Sequence, residues 1–310
     1  MALLGTLGIG ISATVAAPLL GAAAQAQSAP DVRVADSSLR YGQTVVVRGD
    51  VGAANARRAV ALEYQPAGAG WRVLQTGSAD GAGHYVLRAP LTRSGVLRVA
   101  VGDGIAARAS AADGGANVAR SGQQAVAVSA RLAANRRRLD VLAGHTAVVA
   151  GTLRPGGAGR LVRLESQRHG RWRSLAAART DARGRFLVRY RVARTGTGYV
   201  RLAFPGDTAN ARTVRRIGSL SGYRPAMVSR YDLYGGALAC GGTLGYDSLV
   251  VAHRTLPCGT RVRIHYGDRT VTATVRDRGP FVGDREFDLA GAVARRLGFG
   301  GVGTVWVSVG

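Results

Sequence analysis

Charged and apolar residues alternate with a period of two along Arg185-Phe186-Leu187-Val188-Arg189-Tyr190-Arg191, the pattern of a strand with one buried face. Val271, Ala273 and Val275 alternate with Thr270, Thr272 and Thr274 in the same way. Asp181-Ala182-Arg183-Gly184, just ahead of the first run, is turn chemistry, with glycine supplying the positive φ. Such short runs and turns recur over residues 31–217 without helical periodicity, which argues for β-sandwiches. One segment differs: Leu289, Val293 and Leu297 recur at i, i+4 and i+8, with Arg295 and Arg296 in the last turn and Gly298 after it. This predicts a short amphipathic helix with Asp288 as its N-cap. The fold class is therefore all-β with one short helix.

The middle of the chain repeats itself. Tyr41-Gly42-Gln43-Thr44 and the apolar run after it match Ala143-Gly144-His145-Thr146 and its run. Trp71 matches Trp172, Asp80…Tyr85 matches Asp181…Phe186, and Gly95-Val96-Leu97-Arg98 matches Gly198-Tyr199-Val200-Arg201. Two copies of one module follow, at 31–128 and 129–217. They resemble the immunoglobulin-like β-sandwiches of secreted bacterial proteins. Residues 218–225 read as a Gly- and Pro-containing linker, and 226–310 as a final domain.

Charge separates the two copies. The chain has 42 basic residues, all arginine, against 18 acidic ones, a net of +24. Residues 129–217 hold 20 arginines and four acids, so +16 of that sits in the second copy. Such a field attracts polyanions: wall polymers or lipid head groups, with nucleic acid disfavoured because no nucleic-acid module is recognisable. Residues 1–26 form an apolar run ending in Ala24-Gln25-Ala26, the layout of a cleavable signal peptide, although no basic residue precedes it. No later run is long enough to span a bilayer. The only cysteines, Cys240 and Cys258, form an even pair in an exported chain and predict one disulfide. Zinc would need four ligands where only His253 lies near them, and no cofactor motif is present.

The last 85 or so residues carry a more specific signature. Ser229-Arg230-Tyr231-Asp232-Leu233-Tyr234-Gly235-Gly236, Ala252-His253-Arg254-Thr255-Leu256-Pro257-Cys258-Gly259-Thr260, Val275-Arg276-Asp277-Arg278-Gly279-Pro280 and Arg285-Glu286-Phe287-Asp288-Leu289 follow one another in order. Together they resemble the rare lipoprotein A (RlpA) family, related to expansin- and barwin-like domains. The resemblance implies a six-stranded double-psi β-barrel and a lytic transglycosylase acting on peptidoglycan glycan strands. It implies catalytic roles for Asp277 and His253, and substrate contacts at Tyr234, Asp247 and Arg278. The family's glutamate between the opening motif and the histidine is missing; the stretch reads Cys240-Gly241-Gly242-Thr243-Leu244-Gly245-Tyr246-Asp247.

The residues themselves support a carboxylate site. Asp277 keeps the parity of Val271, Ala273 and Val275, which predicts a carboxylate at the lip of an apolar face, where lost hydration favours the neutral acid. The alternative is an aspartate that braces the turn. His253 ends an apolar strand and is a candidate to orient the acid. Trp306 is out of phase with Val305, Val307 and Val309, as a sugar platform or as packing. One acid/base suits transglycosylation, in which the sugar's own 6-hydroxyl replaces water, whereas hydrolysis uses two carboxylates. Two other readings stay open: an expansin-like module that binds and loosens glycan without cleaving it, and a structural wall protein anchored by its basic sandwich.

Overall fold

The computed structural model describes residues 29–102, 118–135, 138–168 and 170–309. The predicted signal peptide, 1–26, lies outside the described residues. Among the described residues the chain is all-β with one α-helix and one short 3-10 turn (Ala53–Asn55), and its buried apolar residues fall into three main clusters along the sequence.

The first module contains β1 (Arg33–Val34), β2 (Ser38–Arg40), β3 (Thr44–Asp50), β4 (Ala59–Pro66), β5 (Arg72–Ser78), β6 (His84–Pro90), β7 (Gly95–Val101), β8 (Ala119–Arg120) and β9 (Gln124–Ser129). One sheet has the order β1-β3-β6, and the other β2-β9-β7-β4-β5. The second module contains β10 (Arg131–Ala134), β11 (Arg138–Leu142), β12 (Thr146–Arg154), β13 (Leu161–Arg168), β14 (Arg171–Arg179), β15 (Arg185–Arg191), β16 (Gly196–Phe204) and the first half of β17 (Thr213–Tyr231). Its sheets run β10-β12-β15 and β11-β17-β16-β13-β14, the same order strand for strand. In both modules the inward residues of the two sheets share one core, including Val47, Leu62 and Leu87 in the first and Val149, Leu164 and Val188 in the second.

The sequence repeat is visible in side chains as well. Glu63 on β4 opposes Arg98 on β7, whose guanidinium lies 3.9 Å from the Trp71 ring; Glu165 opposes Arg201, which lies 4.1 Å from the Trp172 ring. Gly49 and Gly151 are glycines because a Cβ would strike the Asp31 and Ala133 carbonyl oxygens of the segment paired beside their strand.

Residues 218–225, expected to be a linker, are strand instead. β17 pairs with β16 through Gly222, with β11 through Tyr223, and with β22 (Gly303–Val309) from Arg224 onward. Gly222 and Pro225 do not break it: a Cβ at Gly222 would strike the Arg194 carbonyl oxygen, and Pro225 opposes Trp306. One strand is thus the last of the second module and the first of the barrel. Tyr223 is fully buried at the junction, where its hydroxyl donates to Asp140 (2.7 Å) and accepts from Arg263 (2.9 Å).

The final domain adds β18 (Val250–His253), β19 (Arg261–Tyr266), β20 (Arg269–Asp277), β21 (Phe287–Ala290) and α1 (Gly291–Leu297). The order β17-β21-β18-β20-β19-β22 returns to β17, so six strands close into a ring around Val228, Val251, Ile264, Val275, Phe287, Leu289 and Val307. Val271, Ala273 and Val275 face this core, as their alternation predicts.

Candidate active site

Asp277 does not follow that alternation to its end. Val251 opposes Val275, but Ala252 opposes Asp277, and Arg276 is the extra residue of a β-bulge. A bulge re-aims the side chains that follow it. Asp277 therefore shares the face of Ala252 rather than that of Val275, and the parity argument fails there. On the other side of β18, Ala252 opposes Asp288, and Asp288 opposes Ser229 on β17. A row across four strands results: Ser229, Asp288, Ala252, Asp277.

Asp288 is a strand residue and not a helix cap. The residue preceding α1 is Ala290, which makes no side-chain capping bond. Phe287 and Leu289 are both fully buried in the barrel core, so Asp288 between them points to the opposite face. Its carboxylate accepts a hydrogen bond from the Ser229 hydroxyl. Burial pushes its carboxyl above the ordinary range; Asp277 adds to the rise and Arg285 opposes it.

Asp277 accepts hydrogen bonds from the Arg278 N–H (2.9 Å) and the Ala239 N–H (3.1 Å). The second comes from the 232–248 loop, which the Cys240–Cys258 disulfide ties to the turn after β18. The Cys240 N–H bonds the Arg276 carbonyl, and the Arg276 guanidinium bonds the Gly241 carbonyl, so the bulge and the loop hold each other. Tyr231, two residues beyond Ser229, directs its hydroxyl toward the carboxylates. That hydroxyl is buried; burial raises its pKa, and the nearby Asp277 and Asp288 carboxylates raise it further.

His253 does not join them. It follows Ala252 and takes the opposite face, against Phe287, with ring centroids 4.8 Å apart. Its Nδ1 accepts from the N–H groups of Thr255 (3.1 Å) and Leu256 (3.0 Å), which leaves the proton on Nε2, 3.6 Å from Glu286. Burial lowers its pKa, Glu286 works against this, and Arg224 and Arg278 assist it. Glu286 is held low chiefly by its bidentate pairing with Arg224. His253 is thus a neutral imidazole that closes a turn.

The other expected contacts divide. The Arg278 guanidinium is committed to the carbonyls of Leu256 (2.9 Å) and His253 (3.2 Å). Trp306 opposes His265, whose other neighbour is Thr270, at the far end of β20 from Asp277, and it packs toward Tyr223 at the junction with the second module. It is packing, not a platform beside the carboxylates. Tyr234 and Asp247 do share one cluster. The Tyr234 hydroxyl donates to Asp232 (2.6 Å) and accepts from Arg295 (2.8 Å), which lies 3.5 Å from Asp247 and 3.8 Å from the Tyr246 ring centre. Tyr234 and the exposed Tyr246, which the sequence reading missed, lie with ring centroids 5.2 Å apart. A Cβ on Gly291, three residues after Asp288, would strike the Tyr234 hydroxyl. The aromatic pair therefore lies against the start of α1, the helix that follows β21.

A cavity of about 540 Å³ opens at one end of the second module, lined by Tyr190, Val192, Arg194, Gly196 and Leu220 among others. It contains no carboxylate, histidine or cysteine, so the candidate chemistry stays on the barrel.

A family model described as lytic transglycolase, of double-psi β-barrel type, matches residues 227–309. The closed ring and the four ordered motifs occupy that same span. Residues 227–309 form an RlpA-like double-psi β-barrel. The chain is 37% identical over 102 residues to the endolytic peptidoglycan transglycosylase RlpA of Pseudomonas aeruginosa, a match covering 32% of this chain and 28% of that protein. It is 39% identical over 65 residues to the protein of the same name from Neisseria meningitidis, covering 20% of this chain and 27% of the relative. The chain thus spans less than a third of the length of these curated relatives, and the family model covers the barrel alone.

Proposed function

We propose that the protein is an exported lytic transglycosylase that cleaves peptidoglycan glycan strands on the outer face of β21-β18-β20. The observation that carries this reading is the pair Asp277 and Asp288, presented to one face from either side of Ala252. Asp288 is the acid/base: its raised pKa keeps a proton available for the glycosidic oxygen. As that proton reaches the leaving oxygen and the C1–O bond breaks, the 6-hydroxyl of the same sugar bonds to C1 and gives its proton to Asp288. The product is a 1,6-anhydro sugar, and the carboxyl is restored. Asp277 adds to the rise that burial gives Asp288, and its carboxylate faces the cationic sugar that develops. Tyr234 and Tyr246 offer ring faces to adjoining sugars.

The two modules ahead of the barrel are immunoglobulin-like sandwiches in this reading, on the strength of their shared strand order. The second attaches the enzyme to anionic wall polymer, and the wall is reached by export through residues 1–26.

Mass spectrometry of the products released from purified sacculi tests the reaction. Anhydro-muropeptides support it. Free reducing ends would instead make the two aspartates a hydrolase pair. Binding without any product would move the function to expansin-like wall loosening.

A further inference from the structure

The outer face of the β10-β12-β15 sheet exposes Arg131, Arg154, Arg185, Arg189 and Arg191. The register sets Arg131 opposite Arg154, Arg185 opposite Thr152, Arg189 opposite Val148 and Arg191 opposite Thr146. None of the five has an acidic partner among the described residues. The four acids of residues 129–217 are engaged elsewhere: Asp140 with Tyr223, Glu165 with Arg201, Asp207 with Arg160, and Asp181 with the N–H groups of its own turn.

The first module is an internal control, because the same face exists there on β1-β3-β6. It carries Arg33, Arg48 and Arg88, but Asp31 lies 3.2 Å from Arg33, and Asp50 lies 3.6 Å from His84. In the second copy Ala133 and Thr152 stand where Asp31 and Asp50 stood, while Arg185 and Arg191 replace His84 and Pro90. One copy balances its charges on this face; the other drops the acids and adds bases. Like charges gathered on one sheet face repel, so the fold gains nothing from the arrangement.

We propose that the outer face of β10-β12-β15 binds a linear phosphodiester polymer of the cell wall. The face is a flat sheet on which the arginines do not converge, so a small anion meets one or two of them, whereas a polymer meets all five. Arg189 and Arg191 are ~7 Å apart along the strand, and Arg185 is a further ~13 Å away, so successive charges of one chain can be met in turn. The guanidinium fork suits phosphate oxygens. No aromatic ring is exposed among the five, so nucleobases find no stacking platform, and Leu187 alone does not anchor a membrane. The proposal depends on the wall reading only for the source of the polymer; binding itself does not require the barrel's chemistry.

The test uses the full chain and fluorescein-labelled polyglycerol phosphate, followed by anisotropy across a salt series. Wild type binds, and binding weakens as salt rises. The triple variant Arg185→Gln/Arg189→Gln/Arg191→Gln loses ~10-fold or more at low salt, and its log–log salt slope is shallower by about two. The control Arg33→Gln/Arg48→Gln/Arg88→Gln stays within about twofold of wild type. Melting curves followed by circular dichroism confirm that both variants fold. A triple variant that binds like wild type overturns the proposal, as does tighter binding to single-stranded DNA or to anionic vesicles at equal charge concentration. If sacculi yield no anhydro-product while the triple variant still loses polymer binding, the enzymatic reading alone has failed.

Discussion

Asp277 and Asp288 reach the same face of the barrel because Ala252 pairs with both, in parallel with one strand and antiparallel with the other. Two strand spacings, ~10 Å, separate their backbones, which is room for a sugar ring above Ala252. The two positions predict different losses. Asp288→Asn keeps the bond from Ser229 but removes the transferable proton, and should lower kcat by ~100- to 10,000-fold. Asp277→Asn should cost less and should change the pH profile: without its charge the Asp288 carboxyl titrates lower, so activity falls off at a lower pH on the basic side. Rate–pH profiles of folded variants check both, and an active Asp288→Asn enzyme would remove the assignment.

Asp288 also makes stability depend on pH. Its folded pKa lies above the unfolded value, so the folded state holds its proton more tightly between the two. Its contribution is most favourable below the unfolded value and declines as pH rises toward the folded one. Asp288→Asn, which cannot ionise, should therefore melt higher than wild type at neutral pH, and the gap should close near pH 3. Thermal melts across pH 3–8 test this. A gap that widened on acidification would contradict the burial argument.

His253 should matter for stability and little for chemistry. Its Nδ1 satisfies two backbone N–H groups, and its ring covers Phe287. His253→Ala leaves those donors without a partner, at a cost of ~1–3 kcal/mol. The expected variant melts lower but cleaves at a near-normal rate per folded molecule. A large fall in kcat with an unchanged melting temperature would return His253 to the catalytic set.

The sequence made the two modules, the strand alternation in β15 and β20, the disulfide and the barrel motifs legible, because each is a local pattern or an ordered string of residues. It misplaced what pairing decides. The bulge at Arg276 appears only when β18 is laid beside β20, so Asp277 looked like a continuation of Val275. Asp288 had two periodicities to obey: Leu289, Val293 and Leu297 at helical spacing, and Phe287 and Leu289 flanking it at strand spacing. The strand holds as far as Ala290, where the helix begins. Gly222 and Pro225 suggested a linker, but the close approach of the Arg194 carbonyl and the pairing with β22 gave them places in a strand.

Reduction of the Cys240–Cys258 bridge should affect both stability and rate. The bridge closes a separation of 18 residues, which is worth ~3 kcal/mol in the chain-entropy account. It also ties the loop to Cys258 through Cys240, one residue from Ala239, whose N–H reaches Asp277. Cys240→Ser/Cys258→Ser should melt lower and, at temperatures where it remains folded, turn over more slowly. Equal activity per folded molecule would show that the loop's contact with Asp277 is not used.

The last expectation concerns the junction. Asp140 belongs to β11 and Arg263 to β19, and the Tyr223 hydroxyl on the shared strand β17 bonds both. Asp140 and Arg263 lie 3.9 Å apart with mostly buried side chains, and one Arg263 nitrogen has no hydrogen-bond partner among the described residues, so the phenol oxygen links a charge pair that lacks full bonding without it. Tyr223→Phe preserves the ring's packing against His265 and Trp306 and removes only that oxygen. Leaving both groups under-satisfied should cost ~1–3 kcal/mol. Because β17 carries the cost into two cores at once, the second module and the barrel should lose stability together, and protease should find residues 218–225 sooner. Denaturant melts read separately at Trp172 and Trp306, with the other two tryptophans replaced by phenylalanine, distinguish the outcomes. A shift confined to one probe would mean that the modules unfold independently despite their common strand.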